Sequence, residues 1–484
     1  MKPNILLITV DQMRGDCLSA LDHPVVETPN LDQLAEGGVL FRRAYTSTPS
    51  CIPARAAIFT GMSPRSHGRV GYKDGVPWMY IHTLPGELAK AGYHTQCIGK
   101  MHVYPPRNLC GFHNVVLHDG YLQYMRQKDI NTVAQSFDQC DDYLHWLRDR
   151  AGAHQDLTDH GLDCNTSTLT RPWHLDESLH PTNWAVSESI DFLRRRDTTK
   201  PFFLWTSIVR PHPPFDPPQA WLDMYLNVEM PEPPIGDWVN REEAEASSKR
   251  PITGKAVLNK TRLDRARAGY YALITHIDNQ IGRLVNALKE YGVLQDTLIV
   301  FTSDHGEMLG DHYYFRKALA YEGSARVPFI VSDPGGKLRF KRNHQSDDVI
   351  ELRDIMPTVL DAAGVDIPVS VEGASLLPGC RGEQTGWREY VHGEHSYGEL
   401  SHHYLTDGKM KYIWYSQAGI EQLFDLSQDP EETVDLVSKP SSEDKLNVWR
   451  ERLITELEGR EEGYSNGREL KVGCKPIACL THIL

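Results

Sequence analysis

Cys51 and Arg55 bracket the run Cys51-Ile52-Pro53-Ala54-Arg55, and the apolar stretch Ala56 to Phe59 that follows stops at Thr60-Gly61. Proline suits the first position of a helix, so Pro53 predicts a helix start with Cys51 at its N-terminus. Unpaired backbone N–H groups and the helix dipole there stabilise an anion or a thiolate. Arg55 lies one turn inside and can point back at the same place. Taken alone, these residues leave two readings open: a thiol set in an anion site, or a structural cysteine beside an ion-paired arginine.

Such a site needs elements to hold it. Asn4 to Val10 (NILLITV) has the pattern of a strand buried on both faces and runs into Asp11-Gln12, and Thr297 to Thr302 (TLIVFT) repeats the pattern and ends at Ser303-Asp304-His305. Two buried strands therefore deliver carboxylates from their C-terminal ends, where ligand sites of open α/β sheets lie. Between them, helices are predicted from Pro29 to about Gly37, over Leu84 to Ala91 and over Trp184 to Arg195. Strands are predicted over His94 to Ile98 and Pro201 to Val209, and this alternation is the signature of parallel βαβ construction. The longest periodic element runs from about Thr261 to Tyr291. From about residue 385 the texture becomes short alternating strands (Tyr404 to Leu405, Met410 to Tyr415, Gln422 to Leu426), followed by a helix over Lys445 to Glu458.

The expected fold is α/β: a large mixed, mostly parallel sheet between helices, with a smaller C-terminal antiparallel α+β subdomain. The division is a catalytic domain over 1–384 and the subdomain over 385–484. Segments 103–180 and 214–260 are too long for idle loops and are expected as substrate-side insertions.

The 484 residues carry a formal charge of −14, a field that repels nucleic acid and anionic membrane. No run approaches the roughly 18 apolar residues of a membrane span, and Ile5 to Val10 is too short for a signal sequence, so a cytoplasmic protein is expected. The nine cysteines are odd in number and contain no C-x-x-C pair; most are expected reduced, with no disulfide between Cys474 and Cys479.

C-x-P-x-R with its Thr-Gly tail resembles the signature of type I sulfatases, members of the alkaline-phosphatase-like superfamily whose cysteine is oxidised to Cα-formylglycine. Further matches fall in family order: Asp11, Gly99-Lys100-Met101-His102, Arg210-Pro211-His212-Pro213-Pro214-Phe215, Ser303-Asp304-His305-Gly306 and Lys317. The similarity covers roughly residues 3–335 and continues weakly beyond.

The resemblance implies a hydrolase of sulfate monoesters, acting on a small-molecule or saccharide ester and matured by a formylglycine-generating enzyme. One hydroxyl of the hydrated aldehyde at residue 51 would attack sulfur, and the other would later expel sulfate. Asp11, Asp304, His305 and modified Cys51 would hold one divalent metal, with Gln12 either a further ligand or a lining residue. Ca²⁺ stands first among metals, with Mn²⁺ or Mg²⁺ as alternatives. Many relatives carry paired aspartates at the first strand and Asp-Asn at the second, and His305 here softens the preference for Ca²⁺. Arg55, Lys100 and Lys317 would face the sulfate oxygens. His102 resembles the base of the second half-reaction and His212 the acid that protonates the leaving alcohol.

Val10-Asp11-Gln12 and Ser303 to His312 resemble the phosphonate monoesterase and phosphodiesterase branch as well. Lys100 and His102 favour sulfate, because that branch carries hydroxyl residues there. A metal-dependent phosphomutase and a non-catalytic anion-binding protein are more distant alternatives. Asp311-His312 and the His392 to His395 run are expected near ligands or substrate rather than in a second metal site, and His402-His403 is expected in a solvated loop.

Overall fold

The computed structural model describes residues 2–119, 141–248, 254–383 and 387–484. The proposed boundary at 384/385, Cys140 and parts of both insertions lie outside the described residues.

A nine-stranded mixed sheet is built around β1 (Asn4–Asp11), whose residues from Ile5 onward are buried. The other strands are β2 (Gly38–Tyr45), β3 (His94–Gly99), β4 (Asn114–Leu117), β5 (Phe202–Pro211), β6 (Thr297–Ser303), β7 (Arg326–Val327), β8 (Phe329–Ser332) and β9 (His344–Glu351). Their order is β4-β3-β5-β1-β6-β8-β2-β7, with β9 also on β2. The five strands from β4 to β6 are parallel, whereas β8 runs antiparallel to both β6 and β2. Continuous apolar sequence is what central strands covered on both faces require.

The helices form two packed groups. Pro29–Glu36 and Pro181–Arg195 each pack on Lys260–Glu290, and Cys51–Thr60, Leu84–Lys90 and Ile355–Ala362 contact one another. The five of these helices that were expected from sequence fall within a few residues of the expectation. The helix at Cys51 corrects it in detail: Ser50 is the N-cap and Cys51 the first helical residue, two positions before the proline expected to start it. Pro53 is tolerated there because the first-turn N–H groups have no intrahelical acceptor.

A second sheet, antiparallel in the order β10 (Val391–His395), β11 (His402–Thr406), β12 (Met410–Tyr415) and β13 (Ile420–Asp425), carries the helix Glu443–Glu456 on one face through Leu405, Trp414, Leu446, Trp449 and Leu453. Tyr404, Ile413 and Phe424 on its other face pack with Tyr45, Tyr321 and Ala325 of the main body. The expectation of a solvated loop at His402-His403 is wrong: both lie in an inner strand of this sheet and are buried. His403 stacks on His392 at 5.4 Å between ring centroids. Both faces of the sheet are covered, so imidazoles on either face are sealed from water.

Candidate active site

The parallel register explains why distant residues meet. Val10 pairs with Ser303, so Asp11 and Asp304 leave the sheet side by side. Ile98 pairs with Thr206 and Gly99 with Ser207, which brings the ends of β3 and β5, and with them Lys100 to His102 and His212, to the same rim.

Asp11, Cys51, Asp304 and His305, all buried, each offer one donor atom, and these four atoms lie within 4.8 Å of one another. Cys51 Sγ is 3.3 Å from His305 Nε2, 3.4 Å from Lys100 Nζ, 3.6 Å from Lys317 Nζ and 3.7 Å from Asp11 Oδ1. Burial and Asp11 push this thiol's pKa up, but Lys100, Lys317 and His305 outweigh them and hold it well below the ordinary thiol range. Lys100 also donates to Asp11 Oδ2. Burial opposes ionisation of Asp11, and Lys100 leads the cations that keep it ionised. Asp304 is pushed up by burial and by the neighbouring Asp11 charge.

Arg55 turns toward Asp304 rather than back to the thiol. Its Nε donates to Asp304 Oδ2 at 3.1 Å and Nη1 to Lys100 O at 2.7 Å and Ser207 Oγ at 2.9 Å, while Nη2 is buried without a partner. Gln12, at φ +74°, donates its backbone N–H to Asp304 Oδ1 at 3.2 Å, and its amide oxygen accepts from Lys317 Nζ at 2.6 Å. Its amide nitrogen donates to Glu307. The amide oxygen thus tethers Lys317, whose ammonium also reaches Cys51 Sγ at 3.6 Å.

His102 and His212 line the same cavity of about 770 Å³ as Cys51, Lys100 and Lys317. Burial and Lys100 lower the His102 pKa, but Asp74 and Cys51 raise it further, above the ordinary imidazole value. His212 Nδ1 donates to Pro213 O at 2.8 Å, which leaves Nε2 as its basic nitrogen. Burial, then Lys317, takes its pKa well below the ordinary value. The bidentate pair of Arg210 with Asp216, at 2.6 and 2.7 Å, brackets its loop.

Several contributors were missed from sequence. Ser207 receives Arg55, Glu307 holds Gln12, and Asp119 accepts the backbone N–H groups of Met101 and His102 at 2.7 and 3.0 Å. Only Glu307 lay inside a quoted motif; nothing in the local sequence of the others marks a partner that is near only in space. His395 Nε2 stands 3.0 Å from the Ser50 hydroxyl at the cavity wall, whereas Glu394 of the same run pairs with Arg460. The wall also includes Asp163 and Asn165 of the first insertion, Glu243 and Lys255 of the second, and Tyr397. Asp311, by contrast, pairs with Arg14 and Arg267 away from this cavity.

Two carboxylates, an imidazole and residue 51 fit a single divalent cation by donor chemistry, and among the described residues no other such group of His, Cys, Asp and Glu comes together. His305→Asn is expected to keep a bound metal and move its preference toward Ca²⁺, because a hard amide oxygen replaces a borderline nitrogen. Competition between Ca²⁺ and Mn²⁺, read by metal analysis, checks this; an unchanged preference contradicts it.

A family model described as "Sulfatase" matches residues 3–365, and one described as "N-sulphoglucosamine sulphohydrolase, C-terminal" matches residues 310–459. The chain is 56% identical over 483 residues to an arylsulfatase of Clostridium perfringens (strain 13 / Type A), covering 100% of both chains. It is 31% identical over 458 residues to a choline-sulfatase of Rhizobium meliloti (strain 1021), covering 91% of this chain and 83% of that one. Among solved structures, the phosphonate monoester hydrolase of Agrobacterium radiobacter superposes with a TM-score of 0.75 at 26% identity, covering 94% of this chain and 95% of that one. No described helix is long and apolar enough to cross a membrane.

Proposed function

The chain belongs to the sulfatase family, and from that premise we propose that its cavity hydrolyses sulfate monoesters with a formylglycine made from Cys51 and one divalent cation, Ca²⁺ in first place. The observation that carries the proposal is the setting of Cys51. Two ammonium groups stand 3.4 and 3.6 Å from its sulfur, with the carboxylate and imidazole cluster beside it. A tetrahedral anion delivered to residue 51 meets cations on several sides, and a nucleophile at that position is already aimed at its centre.

Asp11, Asp304 and His305, with residue 51, would hold the cation; when bound it supplies Lewis acidity toward a sulfate oxygen and toward the hydroxyl at residue 51. Lys100, Lys317 and the unpartnered Nη2 of Arg55 offer hydrogen bonds to oxygens that gain negative charge. His102 accepts a proton at residue 51 when sulfate departs. His212 gives a proton from Nε2 to the leaving oxygen, and the charge of an arriving sulfate opposes the fall in its pKa. A cavity of about 770 Å³, walled by both insertions and the small sheet, has room for a sugar or aryl alcohol.

Leaving-group dependence tests His212. His212→Ala is expected to cost only a few-fold with a nitrophenyl sulfate, whose oxygen leaves as a stable anion, and roughly 10²-fold or more with an alkyl or sugar sulfate. Equal losses on both remove His212 as the acid. The function as a whole is tested by comparing rates on sulfate monoesters, phosphonate monoesters and phosphate diesters with matured protein. Sulfate should lead, and a lead for phosphonate would favour the other branch.

A further inference from the structure

The ring of His102 meets a carboxylate with no role in the scheme above. Asp74 Oδ1 lies 3.6 Å from His102 Nε2, within ion-pair range. Tyr72, two residues earlier, meets the same ring edge-on at 5.9 Å between centroids. The segment that carries both is clamped from two directions. The Val70 N–H donates to Ala478 O at 3.1 Å, and the Val70 carbonyl accepts from Ser396 N–H at 2.8 Å. The C-terminal tail and the end of β10 therefore hold the strip from which Asp74 projects. On the other side, Asp119 takes the backbone N–H of His102, at φ +58°. One carboxylate fixes the backbone of His102 and another faces its ring.

We infer that Asp74 is a positioning residue for His102, which orients the imidazole and draws its ring proton to Nε2, leaving Nδ1 as the basic nitrogen. This rests on the role of His102 as base proposed above. A neutral imidazole has one N–H and one lone pair, and the partner of one nitrogen decides the state of the other. An anion at Nε2 favours the proton there and also stabilises the imidazolium formed when Nδ1 takes a second proton, the service an aspartate gives the histidine of a hydrolytic triad. Burial pushes the Asp74 carboxyl up, yet His102 and Tyr72 hold it below its ordinary range, so it stands ionised beside the ring. At 3.6 Å the contact is an ion-pair separation and not a hydrogen bond; catalytic hydrogen bonds are often long in unliganded sites and tighten once substrate is bound.

The test uses the full chain and two readouts. In the first, ring ¹⁵N shifts of His102, picked out of the 22 histidines by difference with His102→Gln, should report the Nε2–H tautomer. Asp74→Asn should shift them toward a mixture at the same pH. In the second, matured Asp74→Asn should release an initial burst of nitrophenol from nitrophenyl sulfate and then turn over roughly 10²-fold more slowly, the lower end of what a positioned base contributes. Thermal midpoint and metal content should match the wild type. Asp74→Glu should recover part of the rate, and the double variant with His102→Ala should be no slower than His102→Ala alone. An Nδ1–H tautomer in the wild type, turnover of Asp74→Asn within two-fold of wild type while His102→Ala stalls, or multiplied losses in the double variant each overturn the role of Asp74. If His102→Ala itself turns over normally, the role of His102 falls instead, and the ¹⁵N shifts alone decide whether Asp74 sets its tautomer.

Discussion

Cys51→Ala is expected to lower sulfate-ester turnover by on the order of 10⁴-fold or more, the scale seen when a covalent nucleophile is removed and only its surroundings remain. Cys51→Ser should be nearly as inactive in a host that does not mature serine. Folding should survive. Cys51 is 2% exposed but small, and the helix it begins is otherwise held by Ile58 and Phe59, both in the main core. A stability loss of about 1 kcal/mol is the expected scale for so small a truncation. Activity with circular dichroism and a thermal melt on the same preparation separates chemistry from folding. Retention of more than a few per cent of the wild-type rate would remove residue 51 from the chemistry.

Asp304→Asn is the second large effect, and it should appear in metal content as well as in rate. The carboxylate is fully buried and serves the cluster while accepting from Arg55 Nε at 3.1 Å and the backbone N–H of Gln12 at 3.2 Å. Asparagine keeps the shape but removes the charge, so a hard cation loses an anionic ligand and Arg55 loses its buried counter-charge. Metal affinity should fall more than about 100-fold, beyond what the loss of a partner one step from a metal usually costs. Stability should fall by less than the roughly 3–5 kcal/mol of a broken buried pair, because burial and Asp11 already oppose the Asp304 charge and Asp11 remains near Arg55. Asp311→Asn makes a suitable control, because Asp311 is paired with Arg14 and Arg267 outside the cavity. It should lose stability while keeping metal and turnover. Full metal occupancy in Asp304→Asn would place the cation elsewhere.

The parallel core was legible because its strands are buried on both faces, which leaves a continuous apolar run that points to its own C-terminal end. Asp11, Asp304 and His305 follow such runs directly, and the structure brings them to Cys51. His102, His212 and Lys317 were legible only as members of an ordered motif set, since a single histidine or lysine carries no mark of its surroundings. Three kinds of feature escaped. The start of the Cys51 helix was misplaced because proline is compatible with several first-turn positions, and only the backbone shows which one it takes. His402 and His403 were expected in solvent because composition outweighed their place beside the alternating strand; burial there depends on what covers the sheet, which a local pattern does not contain. Ser207, Asp119 and Asp74 act through contacts made across the fold, 152 residues away in the case of Ser207 and Arg55.

The measurement closest to the central claim follows the mass of residue 51 together with rate. Preparations co-expressed with graded amounts of a formylglycine-generating enzyme can be digested with trypsin, and the peptide Ala44 to Arg55 weighed. Conversion of the thiol to the aldehyde removes about 18 Da. Specific activity on a nitrophenyl sulfate should rise in proportion to the converted fraction and extrapolate to zero where the peptide retains its thiol. Full activity in protein whose residue 51 remains an unmodified cysteine would contradict the account.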